Sequence, residues 1–399
     1  MNKTYLINDI CDVGSSKRIY LSEYQNTGIP FYRGKEIIEK EANKEISNEL
    51  FISQEKYDEI KKKYGVPKIG DILMTAVGTI GISWYVDESD FYFKDGNLIW
   101  FKNFREDIIN SKYLYYIFKS KMFNEVIKNI SIGSTQKAIT IEQIKKIELS
   151  IPSRNIQNKI VEILDNINKK ILVNNKINCN LEKQLKMFFD NKIMNNLDDI
   201  DTLECTLYDQ FEVIDNRGKT PPLVEKSNFP IIDVKVLSGE ERIINYNNCL
   251  KYVDENTYNT FFRSGHPKIY DTLLSTVGSL AELKIYLENI GTIAQNVIAL
   301  RPKNNYPLFM YQYILSIRSK LVSYDIGSVQ PSIKVTQFMK EKIRIPKDNE
   351  IICKFENLAK SNTLKMLNLM KENRNLEQLR DTLLPKLMNG EIDLDNVGI

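Results

Sequence analysis

The sequence has few of the residues on which most metal and disulfide sites depend. Only one of its 399 residues is a histidine, His266, and the five cysteines are scattered without a Cys-x-x-Cys pair. A zinc site needs several closely spaced ligands, and a disulfide framework needs a regular, even set of cysteines. The sequence therefore predicts no metal site, no disulfide and a reducing, cytoplasmic location.

Long apolar runs are also missing. No stretch approaches the roughly 20 residues that a membrane-spanning helix needs. The amino-terminal segment MNKTYLINDICDVG lacks the basic and apolar regions of a secretory signal. We therefore expect no membrane partner. The net charge is only +3, so a nucleic-acid partner would depend on local basic patches rather than on the charge of the whole chain.

Recognisable catalytic motifs are missing as well. We find no glycine-rich phosphate loop, no nucleophile elbow, no Asn-Pro-Pro-Tyr methyltransferase signature and no carboxylate–lysine cluster of the nuclease type. The sequence therefore favours a non-catalytic protein that binds no cofactor itself. An enzyme whose site lacks a known motif stays open as an alternative.

What the sequence does contain is an internal repeat. KIGDILMTAVGTIG at 68–81 matches KIYDTLLSTVGSLA at 268–281. Three further pairs recur in the same order: 29–37 with 229–237, 94–101 with 294–302, and 133–152 with 327–346. One ordered set of four matches indicates that the chain arose by duplication and contains two similar units.

Each unit reads as a mixed α/β domain. DILMTAV and DTLLSTV are short apolar runs that end at a glycine, as buried strands entering a turn do. The Asp-Gly within FYFKDGNLIWF predicts a hairpin, and 111–130 and 307–324 predict helices. Because Tyr270 and Ala281 replace Gly70 and Gly81, we expect the glycine turn of the second unit to differ in shape.

A long helix is predicted after each unit. Apolar residues alternate at steps of three and four in both segments, which is typical of coiled coils. In the first helix the predicted seam is Ile160, Leu164, Ile167, Ile171, Asn174, Asn178, Leu181, Leu185 and Phe188. In the second it is Phe355, Leu358, Asn362, Lys365, Leu369, Glu372, Leu376, Leu379 and Leu383. We expect the two helices to pair antiparallel within the chain; a coiled-coil spacer without a partner is the alternative.

The predicted fold is therefore mixed α/β, with two tandem domains separated by two long helices that form an antiparallel intramolecular coiled coil. The predicted boundaries are 1–154 for the first domain, 155–197 for the first helix, 203–349 for the second domain, and 350–399 for the second helix and tail.

This arrangement resembles the specificity (S) subunit of type I restriction–modification enzymes, over essentially the whole chain. Four stretches resemble that family in sequence: GIPFYRGKEI (28–37), GDILMTAVGTIG (70–81), DNRGKTPP (215–222) and LLPKLMNGEIDL (383–394). The resemblance implies two target recognition domains, each reading one half of a split, asymmetric double-stranded DNA site, and helices that space the readers. It also implies a non-catalytic chain in host defence.

The resemblance also implies the partners. Two modification subunits would dock on the helices and carry S-adenosylmethionine for adenine methylation. Restriction subunits, where the system has them, would use ATP and Mg for translocation and cleavage. A structural adaptor that binds proteins rather than DNA is the alternative reading.

Candidate DNA-contacting residues are basic or small polar residues in predicted turns, because phosphates bind to Lys, Arg and hydroxyl groups. In the first domain they are Lys17, Arg18, Arg33, Lys35, Thr75, Thr79, Gln136 and Lys137. In the second they are Arg217, Lys219, Lys235, Ser275, Ser279, Gln330 and Lys334. Gln136 and Gln330 are the same residue type at equivalent positions of the two halves. Contacts with the DNA backbone or fold-stabilising hydrogen bonds therefore suit them better than the reading of different bases. Solvated surface charge is the alternative for the Lys and Arg residues.

Overall fold

A computed structural model describes residues 3–42, 44–131, 138–218, 220–327 and 330–392. The chain divides into two compact units, which do not follow chain order. The first comprises Met1–Lys170 with Asn375–Ile399, and the second comprises Ile171–Arg374. The carboxyl-terminal end of the second long helix is therefore part of the first unit.

Strands and helices alternate along the first unit. Its strands are β1 (Lys3–Leu6), β2 (Asp12–Gly14), β3 (Tyr24–Gln25), β4 (Ile29–Tyr32), β5 (Phe51–Ile52), β6 (Ile72–Thr75), β7 (Ser83–Tyr85), β8 (Tyr92–Phe93), β9 (Leu98–Lys102) and β10 (Glu148–Ile151). Its helices are α1 (Ile7–Ile10), α2 (Gly34–Glu41), α3 (Gln54–Lys63), α4 (Ser111–Lys119), α5 (Lys121–Ile130), α6 (Ile141–Lys145) and the first part of α7 (Arg154–Lys192).

The second unit has a corresponding set. Its strands are β11 (Thr202–Thr206), β12 (Phe211–Asp215), β13 (Phe229–Ile232), β14 (Tyr252–Val253), β15 (Thr272–Ser275), β16 (Leu283–Ile285), β17 (Thr292–Ile293), β18 (Val297–Pro302) and β19 (Lys342–Pro346). Its helices are α8 (Leu207–Gln210), α9 (Val234–Leu237), α10 (Glu255–Phe261), α11 (Pro307–Ser316), α12 (Arg318–Val322), α13 (Val335–Phe338) and most of α14 (Asn349–Met388).

The two units share one sheet topology. The central sheet of the first has the antiparallel order β2-β9-β6-β7, and that of the second has the order β12-β18-β15-β16. The strand registers also correspond, since Leu73 lies opposite Trp100 and Leu273 lies opposite Ala299. The duplication predicted from the sequence is thus present in the fold.

The predicted hairpin around Asp95-Gly96 is wrong. Strand β8 pairs in parallel with β4 in a second small sheet, whereas β9 enters the central sheet between β2 and β6. The second unit repeats this, with β17 parallel to β13. Strands β8 and β9 are almost entirely buried, and they belong to different sheets. Pairing with strands distant in sequence therefore overrides the local turn signal.

Each unit buries apolar side chains of its long-helix segments. In the first unit, Ile160 and Leu164 of α7 share a core with Leu384 and Leu387 of α14 and with helices α4 and α5. In the second, Leu185 of α7 shares a core with segments of α11 and α14. Burial of these apolar faces is the main stabilising term for both helices.

The helix pair is antiparallel in each unit. In the second unit Asn174 Nδ2 donates to Asn373 Oδ1 at 2.8 Å, and Asn362 Nδ2 donates to Gln184 Oε1 at 2.9 Å. Residue numbers therefore rise along α7 as those of its partners in α14 fall. In the first unit Arg380 Nη1 donates to the Asn168 side chain at 3.2 Å. The predicted intramolecular pairing is confirmed.

The predicted seam holds in α7 and holds only in part in α14. In α7, Ile160, Leu164, Ile167, Asn174 and Leu185 are buried as predicted, although Phe189 is buried more deeply than Phe188.

In α14, Lys365 and Leu379 are exposed, and the neighbouring Met366 is buried instead. A straight helix drifts by about 20° per heptad from a 3.5-residue repeat. Met366 belongs to the core of the second unit, so packing there also selects the buried face.

Within the described residues, no helix combines the length and the apolar character needed to span a membrane.

Candidate functional site

The glycine turn after the central strand is the most strongly repeated feature of the chain. In the first unit, Thr75 N donates to Ile82 O at 2.9 Å and Ile82 N donates to the Thr75 hydroxyl at 3.0 Å. Gly81 N also donates to Thr75 O at 2.9 Å. Gly78 and Gly81 have φ angles of +78° and +82°, a left-handed conformation that glycine adopts without a steric penalty. These hydrogen bonds join the two ends of the turn that follows β6.

The turn of the second unit has the same conformation, contrary to the sequence-based expectation. Tyr270 has φ +75° where Gly70 has +95°, and Ala281 has φ +55° where Gly81 has +82°. The hydrogen bonds from Ala281 N to Ser275 O and from Glu282 N to Ser275 Oγ are retained. The second unit therefore adopts left-handed backbone at both positions where a larger residue replaces a glycine of the first unit.

Thr75 and Ser275 lie inside these turns. Thr75 is 1% exposed, and its hydroxyl accepts a hydrogen bond from Ile82 N at 3.0 Å. Ser275 is fully buried, and its hydroxyl donates to Ser279 O at 2.6 Å. Their burial argues against the phosphate contacts predicted for them, because the hydroxyl groups hold the turn itself. Thr79 and Ser279, at the tips of the turns, are exposed.

A buried aspartate precedes the central strand in each unit. Asp71 Oδ2 accepts from Lys68 N at 2.9 Å and from Trp100 Nε1 at 2.8 Å. Asp271 Oδ2 accepts from Lys268 N at 2.7 Å. Burial raises the pKa of both carboxyl groups, and at Asp271 the guanidinium of Arg301 opposes that shift. These residues fix the start of the strand and are too buried to meet a ligand.

A cleft of about 590 Å³ in the first unit brings several predicted residues together. Arg18 and Arg33 line it, and Lys94 adds a third cation that the sequence analysis missed. Arg18 Nε donates to Asp95 Oδ2 at 2.9 Å, and Arg33 Nη2 donates to the buried Glu36 at 2.6 Å. Both guanidinium groups are therefore held in fixed positions at a solvent-accessible surface.

Lys17 and Lys35, two further basic candidates of the first unit, are next to these arginines in the sequence. Lys17 precedes Arg18, is exposed, and has its Nζ 5.3 Å from the centre of the Tyr64 ring. Lys35 is exposed at the start of α2, one turn before Glu39, with which it forms an ion pair at 3.8 Å.

Apart from the buried Ser275, the described candidates of the second unit are exposed and spread over several loops. Arg217 pairs with Asp215 at 2.5 Å, directly after β12. Lys235, Gln330 and Lys334 are exposed at the surface. Gln136, Lys137 and Lys219 lie outside the described residues.

The position of Arg33 is occupied by a residue of opposite charge in the second unit. Arg33 precedes α2, and Asp233 precedes the equivalent helix α9, where its side chain accepts from Lys235 N at 3.1 Å. A comparison of the two halves could have found this difference, since the flanking Pro30/Pro230 and Lys35/Lys235 align.

The lone histidine, His266, is held by packing and hydrogen bonds within the second unit. The His266 ring stacks on Tyr258 with 3.8 Å between the ring centres, and its nitrogens lie 2.9 Å from Thr292 Oγ1 and 3.0 Å from Tyr258 O. Burial lowers its pKa, which favours the neutral imidazole. The part of the chain that the structure describes holds no group of three or more His, Cys, Asp or Glu side chains suited to a metal ion.

Comparison with known proteins agrees with this architecture. A family model described as type I restriction modification DNA specificity domain matches residues 2–183. A Haemophilus influenzae protein named as a type I restriction enzyme specificity subunit is 37% identical over 166 residues, but the match covers only 41% of this chain and 40% of that protein.

Two further proteins match along nearly the whole chain. The MjaIX specificity subunit of Methanocaldococcus jannaschii is 24% identical over 98% of this chain and 93% of its own length. The crystal structure of a type I restriction–modification S subunit from M. genitalium superposes with a TM-score of 0.58, at 19% identity, over 97% of this chain and 96% of that one. Residues 2–183 thus match a DNA specificity domain, and the whole chain is similar in sequence and in fold to type I restriction–modification specificity subunits.

Proposed function

We propose that this chain is the DNA sequence-recognition subunit of a type I restriction–modification enzyme, and that it reads an asymmetric, bipartite site with one half-site per unit. The observation that carries the proposal is a shared scaffold with different surfaces. The central sheet and glycine turn are the same in both units, whereas the equivalent residues Arg33 and Asp233 carry opposite charges. Two readers of one fold with different surface chemistry suit two different half-sites.

The antiparallel helix pair supports the role of a spacer. Helix α7 is about 58 Å long at 1.5 Å per residue, which exceeds one turn of duplex DNA at about 34–36 Å. Two methyltransferase subunits would dock on this chain and carry S-adenosylmethionine, and restriction subunits would carry ATP and Mg. The specificity subunit itself would be non-catalytic.

The proposal is tested by sequencing adenine methylation in cells that express this chain together with its methyltransferase, and in cells that lack this chain. We expect a split, asymmetric motif that disappears with the chain. If the methyltransferase is expressed and folded but no motif depends on this chain, DNA recognition is excluded and a protein-binding adaptor becomes the better interpretation. Methylation by this chain alone would contradict its non-catalytic role.

A further inference from the structure

Two large apolar side chains stand exposed beside the basic cleft of the first unit. Tyr20 is 63% exposed and Leu21 is 81% exposed, and Tyr20 and Leu21 also line the cleft. Single exposed apolar residues are common, but two adjacent ones at the edge of a cleft that also holds three cations form a distinct surface.

The loop that carries them is held in place. Ser15 Oγ donates to Leu98 O at 3.3 Å, and Lys17 N donates to the Tyr92 hydroxyl at 2.7 Å. At its far end Tyr20 N donates to Glu23 Oε2 at 2.8 Å. A loop with these anchors presents Tyr20 and Leu21 without a large ordering cost on binding.

The combination suits duplex DNA. Arg18, Arg33 and Lys94 are cations suited to phosphate groups, and phosphate and sugar together accept at least about half of protein–DNA hydrogen bonds. Apolar side chains next to phosphate-binding cations contact sugars and base steps in several minor-groove proteins. A protein partner for this surface would have to be strongly acidic as well as apolar.

The second unit supports the same assignment independently. The loop after β12 also carries a cation, Arg217, followed by an exposed leucine, Leu223. Both loops follow equivalent strands, β2 and β12, yet their sequences differ. A basic residue followed by an exposed leucine is therefore common to both halves of the duplication.

We propose that the loop 17–21 and the cleft behind it form the DNA-contact surface of the first unit, with Tyr20 and Leu21 against sugars or base edges and Arg18, Arg33 and Lys94 on phosphates. The proposal rests on the proposed function, since it names the part of one unit that meets the half-site.

The test uses the assembled complex of this chain with its methyltransferase subunits and a duplex that contains the motif found by methylation sequencing. We expect Tyr20→Ser combined with Leu21→Ser to weaken binding about tenfold, as truncation of a central contact does. The matched control is Ile69→Ser. Ile69 is 66% exposed in the same unit but precedes β6, at the end of the strand opposite to the glycine turn, and should change binding less than about twofold.

A second pair of variants tests the cations. Arg18→Gln and Lys94→Gln should each reduce the slope of log affinity against log salt by about one, because each phosphate contact releases about one counterion. Size-exclusion chromatography of every variant checks that the complex assembles.

The outcomes separate the possibilities. Unchanged binding and salt slope in all variants would overturn the proposal while leaving the proposed function intact. Loss of assembly in the Tyr20/Leu21 variant, but not in the Ile69 control, would overturn it in favour of a protein-docking surface. Absence of any motif from the unaltered chain would instead mean that the proposed function itself fails.

Discussion

The two units place an aspartate at the same point and surround it differently. Asp71 accepts a hydrogen bond from the neutral indole of Trp100, whereas Asp271 forms an ion pair with Arg301 at 2.9 Å. In the strand register the position of Trp100 is taken by Ala299, and the small alanine leaves room for Arg301 to reach the carboxylate. Both units thus place a buried hydrogen-bond acceptor before the central strand, but different groups stabilise its carboxylate.

The largest expected effect comes from removing the buried charge of Arg242, through which the second unit binds its segment of α7. Arg242 is 1% exposed and donates to Glu182 of α7 from Nε and Nη2, each at 2.7 Å, and to Gln312 at 3.0 Å. Burial alone would lower the pKa of Arg242, but the adjacent Glu182 carboxylate raises it, so the group stays charged.

We expect Arg242→Met to lower the free energy of unfolding of the second unit by about 3–5 kcal/mol, because it leaves Glu182 without its partner. Hydrogen exchange of β15 amides measures the effect. Both tryptophans, Trp84 and Trp100, lie in the first unit, so tryptophan fluorescence provides the control and should show little change there. A loss below 1 kcal/mol at β15 would show that the ion pair is not important for stability.

The next test breaks the aspartate comparison directly. We expect Asp271→Asn to cost about 2–3 kcal/mol, because the amide cannot accept the two hydrogen bonds from Arg301. The matched Asp71→Asn should stay within about 1 kcal/mol of wild type at pH 7, since one amide oxygen can accept from both Lys68 N and Trp100. Denaturant unfolding followed by fluorescence for Asp71 and by hydrogen exchange for Asp271 measures both; equal losses would contradict the distinction.

The pH dependence sharpens the same point. The pKa of Asp71 is raised by burial above its value in the unfolded chain. Its contribution to stability is therefore complete below the unfolded pKa and is lost as the pH rises through the folded pKa. Relative to Asp71→Asn, the wild type should become less stable from pH 4 to pH 7. A difference that stays constant, or that changes in the opposite direction, would show that the carboxylate is not destabilised by burial.

The smallest expected effect concerns the left-handed residue of the turns. Gly81→Ala should cost about 1–2 kcal/mol, because φ is +82° and the added Cβ would lie 3.3 Å from Ile127 Cγ2. Ala281→Gly should change stability by less than about 1 kcal/mol, because relief of the strained φ is offset by loss of a buried methyl group and by greater unfolded-chain entropy. Thermal unfolding of both variants checks the contrast, and a larger loss for Ala281→Gly would reverse it.

Much of the fold follows from local patterns in the chain. The ordered matches predict the duplication, and the apolar runs before Gly78 and Gly278 predict the strands β6 and β15. The helix pair follows from long segments without glycine or proline that have an apolar face. Arg18 and Arg33 were predicted from turn chemistry, and the structure places both in one cleft.

The remaining features depend on contacts between distant residues. A hydroxyl such as that of Thr75 looks the same in sequence whether it faces solvent or closes a turn. Tyr20 and Leu21 carry no signal of exposure, because apolar residues are normally expected in a core. The buried face of α14 is selected by packing as well as by its own periodicity, which is why Met366 is buried and Lys365 is not.

The sequence alone thus predicts the repeat, which segments form strands or helices, and the antiparallel helix pair. These features depend on the spacing and type of residues along the chain. Tertiary structure alone decides which strands share a sheet, which side chain balances each buried aspartate, and which residues line the basic cleft. The physical reason is that strand pairing, side-chain burial and charge compensation depend on contacts between residues far apart in sequence. Local sequence patterns do not predict those contacts.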